Sequence, residues 1–189
     1  MEAKFGPAGQ CGKAKELKIK STLQYLDYLD QAGLTAFEYS CGRGVNIGEK
    51  TARQLGEKAK TLGISMSLHA PYFISLASLE EEKRKKSVEH YIYQSALTVD
   101  YMGGTRIVVH PGGLNKQSRA KALEVATETL AQARLYLDEH GPVSYTHLAA
   151  GSYFFHGNPG TNSEKSAHWG MGSSQRGTIY PGKSFVSKR

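Results

Sequence analysis

At 189 residues the chain is long enough for one ordinary domain. Its 39% hydrophobic and 22% charged content is that of a soluble globular protein, no apolar run approaches the ~20 residues of a membrane span, and the opening Met-Glu-Ala-Lys-Phe lacks the charged-then-apolar order of a secretory signal; no membrane partner and a cytoplasmic location are therefore expected. The net charge of +7 invites a nucleic-acid reading, but residues 144–189 hold five Lys/Arg against one acid, Glu164, and so carry more than half of the excess.

The elements follow one another as short β-like runs and longer helical ones. Ala3-Lys4-Phe5 is a short candidate strand, followed by Gly6, Pro7 and Gly9 as a turn. Ile19, Leu23, Leu26 and Leu29 then recur at helical spacing, and Gly33 is the stop signal. Ala36-Phe37-Glu38-Tyr39 reads as a strand closed by the loop Cys41-Gly42-Arg43-Gly44. Ala52, Leu55, Ala59 and Leu62 form the next apolar stripe, ended by Gly63, and residues 64–69 are a strand. Residues 80–102 predict one long helix with Val88, Ile92, Val99 and Met102 inward, and its charge run reads as a solvated face. Gly103-Gly104 breaks it, residues 106–110 form a strand, and Leu123, Ala126, Leu130, Ala133 and Leu137 mark a further helix stopped by Gly141-Pro142. Cys11 and Cys41 match neither a disulfide framework nor a zinc-finger spacing, and read as reduced thiols.

Four βα units in a row predict an α/β fold with a parallel sheet and right-handed crossovers; a barrel or an open doubly wound sheet satisfies that pattern equally. The periodicity stops after Val143. Residues 144–189 are rich in Gly, Ser and His and carry no amphipathic stripe, so the expected organisation is a domain over 1–143 and an irregular tail over 144–189, disordered or foreign to the pattern before it.

The chemistry is expected at two strand ends, Ser67-Leu68-His69-Ala70-Pro71-Tyr72 and Val108-Val109-His110-Pro111-Gly112-Gly113. Side chains alternate along a strand. Ile64, Met66 and Leu68 thus share the face under the helices, and Ser65, Ser67 and His69 the other. Arg106, Val108 and His110 likewise oppose Ile107 and Val109. Parallel neighbours lie ~4.8 Å apart, so the two imidazoles fall within reach of one metal ion. Either histidine alone is most simply a strand-end residue bonding a loop; the pair at matching positions favours a metal site.

The runs His69-Ala70-Pro71-Tyr72-Phe73-Ile74-Ser75-Leu76-Ala77 and His110-Pro111-Gly112-Gly113 resemble the first two histidine motifs of the endonuclease IV family, which recur in the broader xylose isomerase-like barrels. Phe5-Gly6-Pro7-Ala8-Gly9 and Cys41-Gly42-Arg43-Gly44-Val45 resemble the first two strand-end loops of one bacterial branch. The resemblance spans roughly residues 3–143. It implies a (β/α)8 TIM-barrel fold, truncated here to about four βα units, and a zinc site (Mn2+ as the alternative) that cleaves DNA beside an abasic sugar. His69 and His110 would be ligands of one zinc, Tyr72 and Phe73 a wedge beside the lesion, and Arg43 a phosphate contact. Ordinary packing is the competing role for Tyr72 and Phe73, a solvated loop charge that for Arg43.

The bridging glutamate that the family carries on its next strand has no counterpart in Ser144-Tyr145-Thr146-His147-Leu148. Catalytic zinc normally takes three protein ligands, so the chain as written is expected to be inactive. A sugar or sugar-phosphate isomerase or epimerase on the same barrel is the second reading, and a non-catalytic fragment the third. Open strand edges predict self-association.

Overall fold

The computed structural model describes residues 3–140 and, as backbone, His147–Ala150. Its helices are α1 (Gly12–Glu16), α2 (Thr22–Gln31), α3 (Glu49–Thr61), α4 (Glu81–Lys86), α5 (Tyr93–Tyr101) and α6 (Arg119–His140), with a π-helical turn, Ser87–Ile92, joining α4 to α5. The strands β1 (Ala36–Ser40), β2 (Ser65–His69), β3 (Arg106–Val109) and β4 (His147–Ala150) pair in that order, every pair parallel. This is a TIM-barrel-like α/β arrangement, and the described strands leave the barrel unclosed.

Local chemistry accounts for most boundaries. Ser21 caps α2 by accepting from the Gln24 amide at 3.3 Å. At the end of α3, Gly63 turns left-handed (φ +69°) and the Ile64 amide reaches back to the Ala59 carbonyl at 2.8 Å. This closure uses a backbone conformation that glycine adopts without steric cost. The same bond recurs after α2, from Leu34 to Leu29, and after α5, from Gly104 to Val99. Each helix is thereby released straight into the following strand.

The alternation expected along the strands holds. Met66, Leu68, Ile107 and Val109 are buried beneath the helices, while Ser67, His69, Val108 and His110 are half-buried on the opposite face. Tyr25, Leu29, Phe37 and Leu55 pack on the β1 side of the helix layer, and Ile92, Val99, Ala126 and Leu137 on the β3 side. Each large apolar side chain so buried stabilises the fold by ~1.5–3 kcal/mol before entropy is counted.

Four expectations are corrected. Ala3-Lys4-Phe5 is not a strand: the chain runs extended beside β1 instead. There the Phe5 carbonyl accepts from Thr35 and Ala36, the Pro7 carbonyl accepts from Glu38, and Gly9 donates to the Glu38 carbonyl. Pro7 has no amide to donate, and only Ala8 makes a ladder bridge, to Glu38. A Cβ on Gly6 would sit 1.5 Å from the Ala36 carbonyl oxygen, so this close approach requires glycine. Second, the single helix over 80–102 contains the π-helical turn. Third, Leu123 stands 46% exposed while Ala122 is fully buried, so the apolar stripe of α6 starts one residue earlier. Fourth, the span expected to be irregular from residue 144 contains β4, whose backbone pairs with β3 from Arg106–His147 to Val109–Ala150. The rest of that span, 141–146 and 151–189, lies outside the described residues.

Candidate metal centre and its rim

The face of the sheet away from the helices presents one residue from each of three neighbouring segments. On β1, Glu38 lies beside Ser67 of β2, and Ser40 beside His69. On the other side His69 lies beside Val108, two residues short of His110, which follows the last residue of β3. The side chains converge. His69 Nδ1 donates to Glu38 Oε1 at 2.8 Å, and the His69 and His110 rings stand 4.7 Å apart between centroids, tilted by 36°. The side chains of His69 and Glu38 keep 25% and 21% of their surface in water.

An ionised carboxylate only accepts, so the Glu38 bond places a proton on Nδ1 of His69 and, in the neutral ring, the lone pair on Nε2. Burial holds His110 below its ordinary value of 6.5, reinforced by the neighbouring His69 and opposed by Glu38. His110 is therefore neutral at pH 7, the form in which imidazole ligates a metal. Cys41, buried just beyond β1, has its thiol pushed up to about 12 by desolvation and is no source of thiolate at neutral pH.

Backbone bonds tie the strand-end loops to one another. Cys41 donates to the His69 carbonyl, Ala70 to that of Val108 and Leu76 to that of Pro111. Gln117 Nε2 donates to the Ala77 carbonyl at 2.7 Å, and the Thr129 hydroxyl to the Leu76 carbonyl at 2.9 Å. The loop after His69 is thus clamped to the loop after His110 and to α6. On its other side the Tyr72 amide donates to the Gly42 carbonyl at 3.2 Å, which brings the Tyr72 backbone beside the exposed Arg43. Tyr72 and Phe73 are 59% and 54% exposed, with rings 5.7 Å apart.

The structure therefore brings His69 and His110 together, and leaves Arg43, Tyr72 and Phe73 exposed on the loops that follow β1 and β2. It adds Glu38, which in the run Ala36-Phe37-Glu38-Tyr39 carries no mark beyond that of a strand residue. The signal was available: extending to β1 the alternation used for β2 and β3 puts Glu38 on the histidine face, opposite Phe37. As a metal centre the set is partial. Two imidazoles lie side by side, with a carboxylate on Nδ1 of one of them. Among the described residues no group of three or more His, Cys, Asp or Glu is placed to hold a metal ion.

A profile of the xylose isomerase-like TIM barrel family matches residues 26–166. An uncharacterised protein of Methanocaldococcus jannaschii is 30% identical over 115 residues, which are 61% of this chain and 39% of that protein. Among solved structures, a D-tagatose 3-epimerase-like protein superposes with a TM-score of 0.58 at 20% identity, over 78% of this chain and 52% of its own. The 3-keto-D-glucoside 4-epimerase of E. coli gives 0.53 at 16% identity, over 79% and 56%. Endonuclease IV of Thermus thermophilus gives 0.49 at 20% identity, over 70% and 47%. At these identities the likenesses to the two epimerase structures show the fold alone. The chain spans 39% of its curated relative and about half the length of these structures.

Proposed function

This chain belongs to the xylose isomerase-like TIM barrel family, and on that premise we propose that it carries the first two metal ligands and the substrate rim of a zinc-dependent, deoxyribonuclease IV-like phosphodiesterase acting at abasic sites in DNA. A bound Zn2+, with Mn2+ the alternative, would act as a Lewis acid on the phosphate and activate water. His69 and His110 would hold it, and Glu38 orients His69 through Nδ1. Such a carboxylate–imidazole bond keeps the ring pointed and raises its basicity toward a metal.

The observation that carries the reading is the exposure of Tyr72 and Phe73 on the loop that leaves His69. Two large rings held in water on the loop that follows His69 suit a substrate with planar faces and a gap to fill. DNA that has lost a base offers both. Arg43, exposed on the neighbouring loop, suits its phosphates.

The test is binding by the full chain, read by fluorescence anisotropy, of an abasic-site duplex against the same duplex intact. Both are measured with Zn2+ present, and phosphosugars serve as competitors. Preference for the lesion, undisturbed by phosphosugars, is expected; turnover is not, because two ligands fall short of a catalytic site. Displacement by a phosphosugar would give the lead to the isomerase or epimerase reading. Failure to bind either ligand class would leave the non-catalytic one.

A further inference from the structure

The loop carrying Tyr72 and Phe73 is joined to the irregular part of the helix behind it. Ser87, the first residue of the π-helical turn, is 1% exposed, and its hydroxyl oxygen accepts from the Ser75 amide at 3.0 Å while donating to the Lys83 carbonyl at 2.7 Å. One buried hydroxyl thus fixes the loop to the turn. A π-helical turn carries an extra residue relative to α-helix and re-aims the side chains that follow it; such turns concentrate at functional sites. Here it sets Tyr91 half-buried with its ring 6.4 Å from that of Phe73, so that Tyr72, Phe73 and Tyr91 form one aromatic ridge.

A cation lies against that ridge. In α4 the acids stand at the start and the bases at the end. Lys83 pairs with Glu80 and Arg84 donates to the Ser78 carbonyl, whereas Lys85 and Lys86 make no ion pair among the described residues. The Lys86 ammonium lies 5.9 Å from the centroid of the Tyr91 ring. Glu89 and His90 are the other titratable side chains exposed on the turn, and the His90 ring lies edge-on to Tyr91 at 5.0 Å. Aromatic rings in a row with a cation on the last of them match single-stranded nucleic acid, whose bases stack on rings while its phosphates meet lysine.

We propose that the π-helical turn Ser87–Ile92 is a second DNA-contact element, in which Tyr91 continues the Tyr72–Phe73 ridge as a stacking platform for an unstacked base and Lys86 takes the adjoining phosphate. The proposal rests on the DNA reading above and extends it to a segment that the sequence presents only as a solvated helix face.

The experiment measures binding of the full chain to an abasic-site duplex with 2-aminopurine opposite the lesion, across a salt series, for the wild type, Tyr91→Ala, Tyr91→Phe and Lys86→Gln. Tyr91→Ala is expected to weaken binding by roughly 5- to 100-fold and to relieve the quenching of 2-aminopurine, while Tyr91→Phe retains both. Lys86→Gln, on the surface, should reduce the salt slope by about 1 with the protein intact, and it stands as the test if Tyr91→Ala fails to fold. If the wild type binds and all three variants bind like it, the turn makes no contact and this proposal falls while the DNA reading stands. If the wild type binds no DNA, both fall together.

Discussion

His69 and Glu38, 31 residues apart in the chain, meet through a 2.8 Å hydrogen bond between adjacent parallel strands, and that bond decides which nitrogen of the histidine is available to a metal. In the proposed centre Glu38 is thereby a positioning residue. Glu38→Gln replaces an ionised acceptor with a neutral amide while keeping the shape, and Zn2+ affinity is expected to fall roughly 10- to 100-fold with little change in melting temperature. Titration against a competing chelator measures it; unchanged affinity would show that the carboxylate does not orient a ligand.

Protonation of His110 links the site to stability. Its folded-state value is lowered by burial and by His69, so at slightly acid pH the unfolded chain binds more protons than the folded one. Stability then rises with pH in that window. The metal-free protein should therefore keep its full stability above pH ~6.5 and lose part of it as pH falls through the lowered value. Urea melts from about pH 5 to about pH 8 test this. His110→Asn should flatten that part of the curve, and an equally steep curve in the variant would assign the loss to other groups.

Burial separates the two thiols. Cys41 is 7% exposed and its thiol is pushed up to about 12. It should resist alkylation by iodoacetamide at about pH 8 in the native chain while Cys11, on the more open side, reacts first. Because the raised value favours the neutral thiol in the folded state, the corresponding stability is present below the ordinary value of 9.0 and lost as pH climbs beyond it. Equal labelling of the two cysteines, read by mass spectrometry, would contradict the packing around β1.

The stripe of α6 offers a comparison of two leucines on one helix. Leu137, 3% exposed, should cost ~2–5 kcal/mol when changed to alanine. Leu123→Ala should fall within about 0.5 kcal/mol of wild type, because the side chain already stands in water. Denaturant titration of both variants measures the difference, and similar losses would mean that Leu123 is covered in solution.

Strand edges predict association. Among the described residues β4 has a neighbour on one side only, and the extended segment 5–9 covers β1 with a single ladder bridge. Unpaired edge groups recruit other chains, so sedimentation of the full chain is expected to depend on concentration. A monodisperse, cooperatively melting monomer across a broad concentration range would refute this.

The amino-acid sequence by itself determined what depends on neighbours along the chain. The inward faces of β2 and β3, the left-handed stops at Gly33, Gly63 and Gly103, and the stripes of α2 and α3 follow from period-2 and period-3.6 patterns and from single-residue backbone preference. That logic also put His69 and His110 on the same face, because two strands read alike. Only the tertiary structure decided the rest. The short run His-Leu-Ala-Ala of β4 has too little pattern to announce a strand and becomes one by pairing with β3. The ordering of segment 5–9, the Glu38–His69 bond and the ridge from Tyr72 to Tyr91 are contacts between residues distant in sequence. Their energy is realised only once the sheet has brought the chain together, and no periodicity along a single segment encodes it.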